Sequence, residues 1–150
     1  MEGANMPIKV KKITLWRKEL ENQTGTLAKT LEPLANVGAD LQVVMGYRHP
    51  EGGPKAAVEI YPITGKKAIA KAQEAGLTAS SIPTLLIEGD NKAGLGYAVA
   101  EAIAGAGINM AFLVTQVIGR KYSCVIGLEN EADAITAAGL VKKATASKKR

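Results

Sequence analysis

Few side chains in this 150-residue sequence are suited to covalent or acid–base chemistry. The single histidine, His49, sits in a run of turn residues, His49-Pro-Glu-Gly-Gly-Pro54, and reads as part of a surface loop. The single cysteine, Cys124, shares a strand face with Ile126 and reads as a small buried hydrophobe rather than a nucleophile. One cysteine excludes an internal disulfide framework and a thiolate zinc cage built by this chain alone. No carboxylate pair recurs, and no metal-ligand spacing or phosphate-loop motif is present. The residues therefore predict no catalytic centre, no metal and no cofactor.

What does recur is a polar turn ending in glycine. Asn22-Gln-Thr-Gly25 returns as Asn91-Lys-Ala-Gly94, and each precedes a helical stripe. A helix start presents unpaired N–H groups and partial positive charge, which suits a small anion such as a carboxylate. Glycine there would admit a ligand against the main chain. Asp40 and Asn109, at the start of the next strand, have the chemistry to accept hydrogen bonds from an ammonium group. The other reading is structural: the glycines relieve turn strain, and Thr24 and Asn91 cap their helices.

The elements that position these turns come in two copies of about 70 residues. Asn36-Val-Gly38-Ala-Asp40-Leu41 matches Gly105-Ala-Gly107-Ile-Asn109-Met110, and Ala75-Gly76-Leu77 matches Ala138-Gly139-Leu140. Strands are expected at Lys12–Trp16 and Thr84–Glu88, then helices along Leu27, Leu31, Leu34 and along Leu95, Val99, Ile103. Period-two strands follow from Leu41 and from Met110, and hairpin turns lead into Ala56–Tyr61 and Tyr122–Leu128. Alanine-rich helices at Lys66–Ala75 and Glu129–Ala138 precede short last strands at Thr78–Ile82 and Leu140–Ala146. Pro33 falls within the first helix, where a kink is expected near Lys29. The order strand, helix, strand, strand, helix, strand, twice over, predicts an α+β chain of two ferredoxin-like modules with antiparallel sheets. The expected division is a leader (1–9), a first module (10–82), a second (83–147) and a basic tail (148–150).

Hydrophobic residues at 47% and charged residues at 22% exclude wholesale disorder. No apolar run approaches the ~20 residues that cross a bilayer, and the N-terminus lacks the pattern of a signal peptide. No membrane association and a cytoplasmic setting are expected. The net charge of +5 is misleading. Five of the 19 basic residues lie from Lys142 onward, and the remaining 14 equal the 14 acidic ones. A neutral body with 4% aromatics argues against a nucleic-acid partner.

The two runs from Asn22 to Asp40 and from Asn91 to Asn109 resemble the signature of the ACT domain: a polar turn ending in glycine, a helix, then Gly-x-Asn/Asp. The resemblance spans residues 10 to 147. It implies a βαββαβ fold, two units set side by side with ligands at the seam, and amino-acid binding in a regulatory role. The ligand residues it implies are Asn22, Thr24, Gly25, Thr26, Leu27, Asn91, Ala93, Gly94 and Leu95. These would face Asp40, Leu41, Asn109 and Met110 of a neighbouring unit. With both modules occupying the chain, the resemblance implies action on a separate enzyme or regulator. The alternative is an oligomerisation or docking subunit of a metabolic enzyme that binds no ligand. A homodimer is expected, because each thin unit leaves sheet surface uncovered and Trp16 and Val44 read as outer-face residues.

Overall fold

The structure, a computed structural model, describes residues 7–146. The elements run β1 (Lys9–Ile13), β2 (Trp16–Glu21), α1 (Thr26–Asn36), β3 (Val43–Arg48), β4 (Lys55–Tyr61), α2 (Lys66–Glu74), β5 (Thr78–Ala79), β6 (Thr84–Asp90), α3 (Leu95–Ala104), β7 (Met110–Ile118), β8 (Lys121–Leu128) and α4 (Glu131–Thr145). They separate into two units. The first is Thr14–Ser81, and the second joins residues 7–13 to residues 82–146.

In the first unit an antiparallel sheet of order β3-β4-β2-β5 is covered on one face by α1 and α2. Leu34, Ala68 and Ala72 from the helices meet Leu20, Val58 and Ile60 from the strands. The second unit repeats the plan with the antiparallel order β1-β6-β8-β7. There Val99, Ile103, Ala134, Ala137 and Val141 meet Leu85, Ile87, Cys124 and Ile126. Residues facing the helices alternate with residues facing away, and on the central strands the latter are buried as well: Ala57 and Glu59 on β4, Leu86 on β6 and Val125 on β8. The architecture is α+β, two ferredoxin-like modules, as the repeat implies. Among the described residues no helix is long and apolar enough to cross a membrane.

Three local expectations are corrected. The single strand expected over Lys12–Trp16 is two: Lys9–Ile13 pairs with β6, whereas Trp16–Glu21 pairs with β4. The break between them lets the chain leave one sheet and enter the other, so the unit boundaries fall at Thr14 and Ser81 rather than at 10 and 82. Leu140–Ala146 is not a strand. Helix α4 continues to Thr145, with Glu131 and Asp133 in its first turn and Lys142 and Lys143 in its last, charges that favour its dipole. The edge beside β6 that a final strand would occupy is already filled by β1. In the first unit the last strand shrinks to Thr78–Ala79.

Trp16 and Val44 also differ from expectation. Trp16 is half-buried against the helix-side core, and Val44 pairs with core-facing Ile60, so neither belongs to the outer face. Helix α1 runs through Pro33, and its buried residues are Thr30 and Leu34. The basic tail at 148–150 and residues 1–6 of the leader lie outside the described residues.

The strand exchange has a direct consequence for folding. A fragment of residues 82–150 lacks β1 and is expected to show no cooperative thermal transition by circular dichroism. Appending residues 7–13 after position 150 through a short flexible linker should restore that transition, because the added strand can take the same edge.

Candidate functional site

Both glycine turns have the same backbone. Gly25 (φ 88°, ψ −8°) and Gly94 (φ 84°, ψ 4°) are left-handed residues placed immediately before α1 and α3, and neither helix has a side-chain cap. That removes the reading in which Thr24 and Asn91 serve as caps. The Thr26 N–H donates to Gln23 O (3.3 Å) and the Lys29 N–H to Gly25 O (3.0 Å). The N–H groups of Leu27 and Ala28 lie between these two, with no acceptor inside the helix. At α3, Leu95 N–H donates to Lys92 O and Ala98 N–H to Gly94 O, which leaves Gly96 and Tyr97 in the same position. Helix α4 is the contrasting case: the Asn130 side chain accepts from the Asp133 N–H at 2.8 Å.

The two turns border different cavities. That at Gly25 holds about 550 Å³ and gathers Asn22, Gly25, Thr26 and Leu27 of the expected set. Its remaining walls include Leu20, Glu21, Gly46, Arg48 and Ala56. Gly46 matters because Leu27 lies across it: a Cβ there would come 3.5 Å from Leu27 Cδ2. Glu21 is tied to Lys55 at 3.2 Å. The cavity at Gly94 holds about 310 Å³ and gathers Asn91, Ala93, Gly94 and Leu95, closed by Pro7 and Ile8 of the leader and by Ala144 and Thr145 of α4. Thr24 belongs to the turn but not to the cavity wall.

Within each unit, Asp40, Leu41, Asn109 and Met110 are not brought to the glycine turns. They follow the far ends of helices some ~15 Å long. Leu41 and Met110 instead pack partly buried against their own cores. Sequence reasoning missed Gly46, Arg48 and Ala56. A glycine interrupting the alternation of Val44-Met45-Gly46-Tyr47 was the available signal, since a strand glycine often marks a close approach.

His49 lies in the loop after β3, with Nε2 3.2 Å from Glu19 Oε1. Glu19 in turn meets Arg17 at 2.9 Å, and the Arg17 guanidinium holds its carboxyl below the usual range. Tyr47 donates to the buried Glu59 at 2.6 Å, completing a polar group on the sheet's outer face. No set of metal-ligating side chains occurs among the described residues. Cys124 is fully buried, and that burial pushes its thiol pKa up.

No family model and no curated protein sequence matches the chain. Solved structures do. A protein of Bacteroides thetaiotaomicron is similar over 89% of this chain and 98% of its own, with a TM-score of 0.68 at 15% identity. The ligand-free regulatory subunit of aspartate kinase from Thermus thermophilus is similar over 94% of this chain and 99% of its own, with a TM-score of 0.61 at 16% identity. The corresponding subunit from Thermus flavus covers 94% and 97%, with a TM-score of 0.55 at 18% identity. These likenesses, at 15–18% identity, establish the fold.

Tyr122 supplies a pH test of the second unit's interior. Its hydroxyl is buried without a hydrogen-bond partner, and burial raises its pKa to about 12. An unfolded tyrosine releases its proton near 10, so the folded state holds the proton more tightly. Stability is therefore expected to fall as pH rises from about 10 to about 12. Denaturant titration of Tyr122→Phe should show a shallower fall over that range. At neutral pH the variant should match the parent or exceed it by about 1 kcal/mol.

Proposed function

We propose that this chain is a non-catalytic regulatory protein that binds a free amino acid and acts on a separate enzyme. The observation that carries this reading is the uncapped start of α1, opening through a left-handed glycine onto a cavity of about 550 Å³. An α-carboxylate placed there would accept from the Leu27 and Ala28 N–H groups and gain from the helix dipole. Glu21 on the cavity wall offers an acceptor for the ammonium group. Asp40, Leu41, Asn109 and Met110 would take part only where a neighbouring unit sets its glycine turn against them. Regulatory subunits of aspartate kinase among the structural neighbours support action on a partner enzyme.

A homodimer fits the sheet edges. Strand β1 carries Lys9, Lys11 and Lys12, charges that guard an edge against pairing. The opposite edge, β7, is nine residues without a charge, with Leu113, Val114, Val117 and Ile118 exposed. Light scattering at micromolar concentration should give the mass of a dimer, and Val117→Lys should shift it toward the monomer.

A thermal-shift screen of the twenty amino acids tests binding. A ligand at a hundred times its dissociation constant adds about 2.7 kcal/mol of stability. Replacing Gly25 by valine puts a branched side chain at positive φ where the carboxylate approaches. Once circular dichroism shows an intact fold, it should weaken binding at least about tenfold. His49→Ala should change affinity less than about twofold. If no amino acid stabilises the protein, the ligand-free docking subunit becomes the better reading.

A further inference from the structure

We propose that the ligand of the Gly25 cavity is an acidic amino acid, whose side-chain carboxylate is held by Arg48. The proposal rests on the amino-acid-binding reading and adds the class of ligand and the residue that selects it.

Charge balance points to this class. Two residues on the cavity wall are charged, Glu21 and Arg48. Any free amino acid brings one α-carboxylate and one ammonium group. The start of α1 meets the first with unpaired N–H groups and partial positive charge, and Glu21 meets the second. Arg48 is then left over. Glu21 does not neutralise it, because that carboxylate is already tied to Lys55 at 3.2 Å. Arg48 enters none of the ion pairs formed among the described residues. A guanidinium stays charged at any ordinary pH, and its donors form a fixed fork that matches a carboxylate. A ligand with a neutral side chain leaves that fork unmet. A second carboxylate meets it.

The place of Arg48 in the sheet suits this role. It is the last residue of β3 and pairs with Ala56, a member of the helix-side core. Gly46, two residues earlier on the same face of the strand, adds no side chain to the wall. The backbone of Arg48 is held by its pairing and by the hairpin beyond it. There the His49 N–H donates to Lys55 O at 3.2 Å, and the Gly52 N–H to His49 O at 2.9 Å. The residue itself is exposed, so closing on a ligand breaks no ion pair. The hydroxyl groups of the wall are committed elsewhere. Thr26 Oγ1 donates to Glu21 O at 2.9 Å, and Tyr47 donates to Glu59 at 2.6 Å. Beyond the Asn22 and Gln23 amides, Arg48 is the side-chain donor that the wall offers to a ligand.

The test is calorimetric titration of the full chain at neutral pH with each of the twenty amino acids. The decisive comparison is each acid against its own amide, aspartate against asparagine and glutamate against glutamine, because size and shape then cancel and charge remains. One of the two acids is expected to be the tightest ligand, at least about tenfold tighter than its amide. That margin should shrink in about 1 M salt, where an exposed charge pair is screened. Arg48→Gln should weaken binding of the acid at least about tenfold and change the amide less than about twofold. Arg48→Lys, which keeps the charge, should retain a preference for the acid. Circular dichroism checks that both variants fold, and where either does not, the ratio in the parent chain decides. A neutral or basic amino acid as the tightest ligand, an acid no tighter than its amide, or a preference that survives Arg48→Gln would overturn the inference and leave amino-acid binding intact. No binding by any of the twenty would overturn the reading on which it rests.

Discussion

The start of α1 depends on one backbone constraint, a left-handed residue between strand and helix. Gly25 at φ 88° accomplishes that reversal without a side chain. A residue with a Cβ would pay about 1–2 kcal/mol there. The same geometry leaves the helix without the side-chain acceptor that Asn130 gives α4. An uncapped helix start in open space keeps strong donors aimed outward, at a cost in local stability that a capped helix avoids. Local stability is given up at the position where a small anion would restore it, and the account of function rests on that coincidence.

The two units solve the same packing problem with different residues. The first unit's chain is continuous and closes its sheet with a two-residue β5. The second borrows β1 from the N-terminus and lets α4 run where its own last strand would begin. With β1 comes the leader, and Ile8 covers Gly89 of β6. Strand loan and leader packing come together.

Much of this fold was legible because both copies carry the same punctuation. Gly25 and Gly94, and Gly38 and Gly107, all adopt positive φ, so the turns recur for a physical reason and not by chance. The apolar stripe Leu95, Val99, Ile103 is buried as its spacing implies. The exchange of β1 was not legible. Lys12–Trp16 alternates smoothly across a point where the chain changes sheets, and pairing partners leave no trace in a local pattern. Leu140–Ala146 was misjudged because Gly139 suggested a stop, whereas the helix tolerates it where tertiary packing through Val141 outweighs propensity. At the candidate site, the turn residues were found from their recurrence. Gly46, Arg48 and Ala56 were missed because they come from two other strands, and only register brings them to Gly25.

The most direct test of the account is a crystal structure of the chain with the amino acid that stabilises it most. The account requires the ligand carboxylate in the Gly25 cavity, its oxygens within about 2.7–3.2 Å of the Leu27 and Ala28 nitrogens. A ligand seated elsewhere, with those two N–H groups facing only solvent, would contradict it.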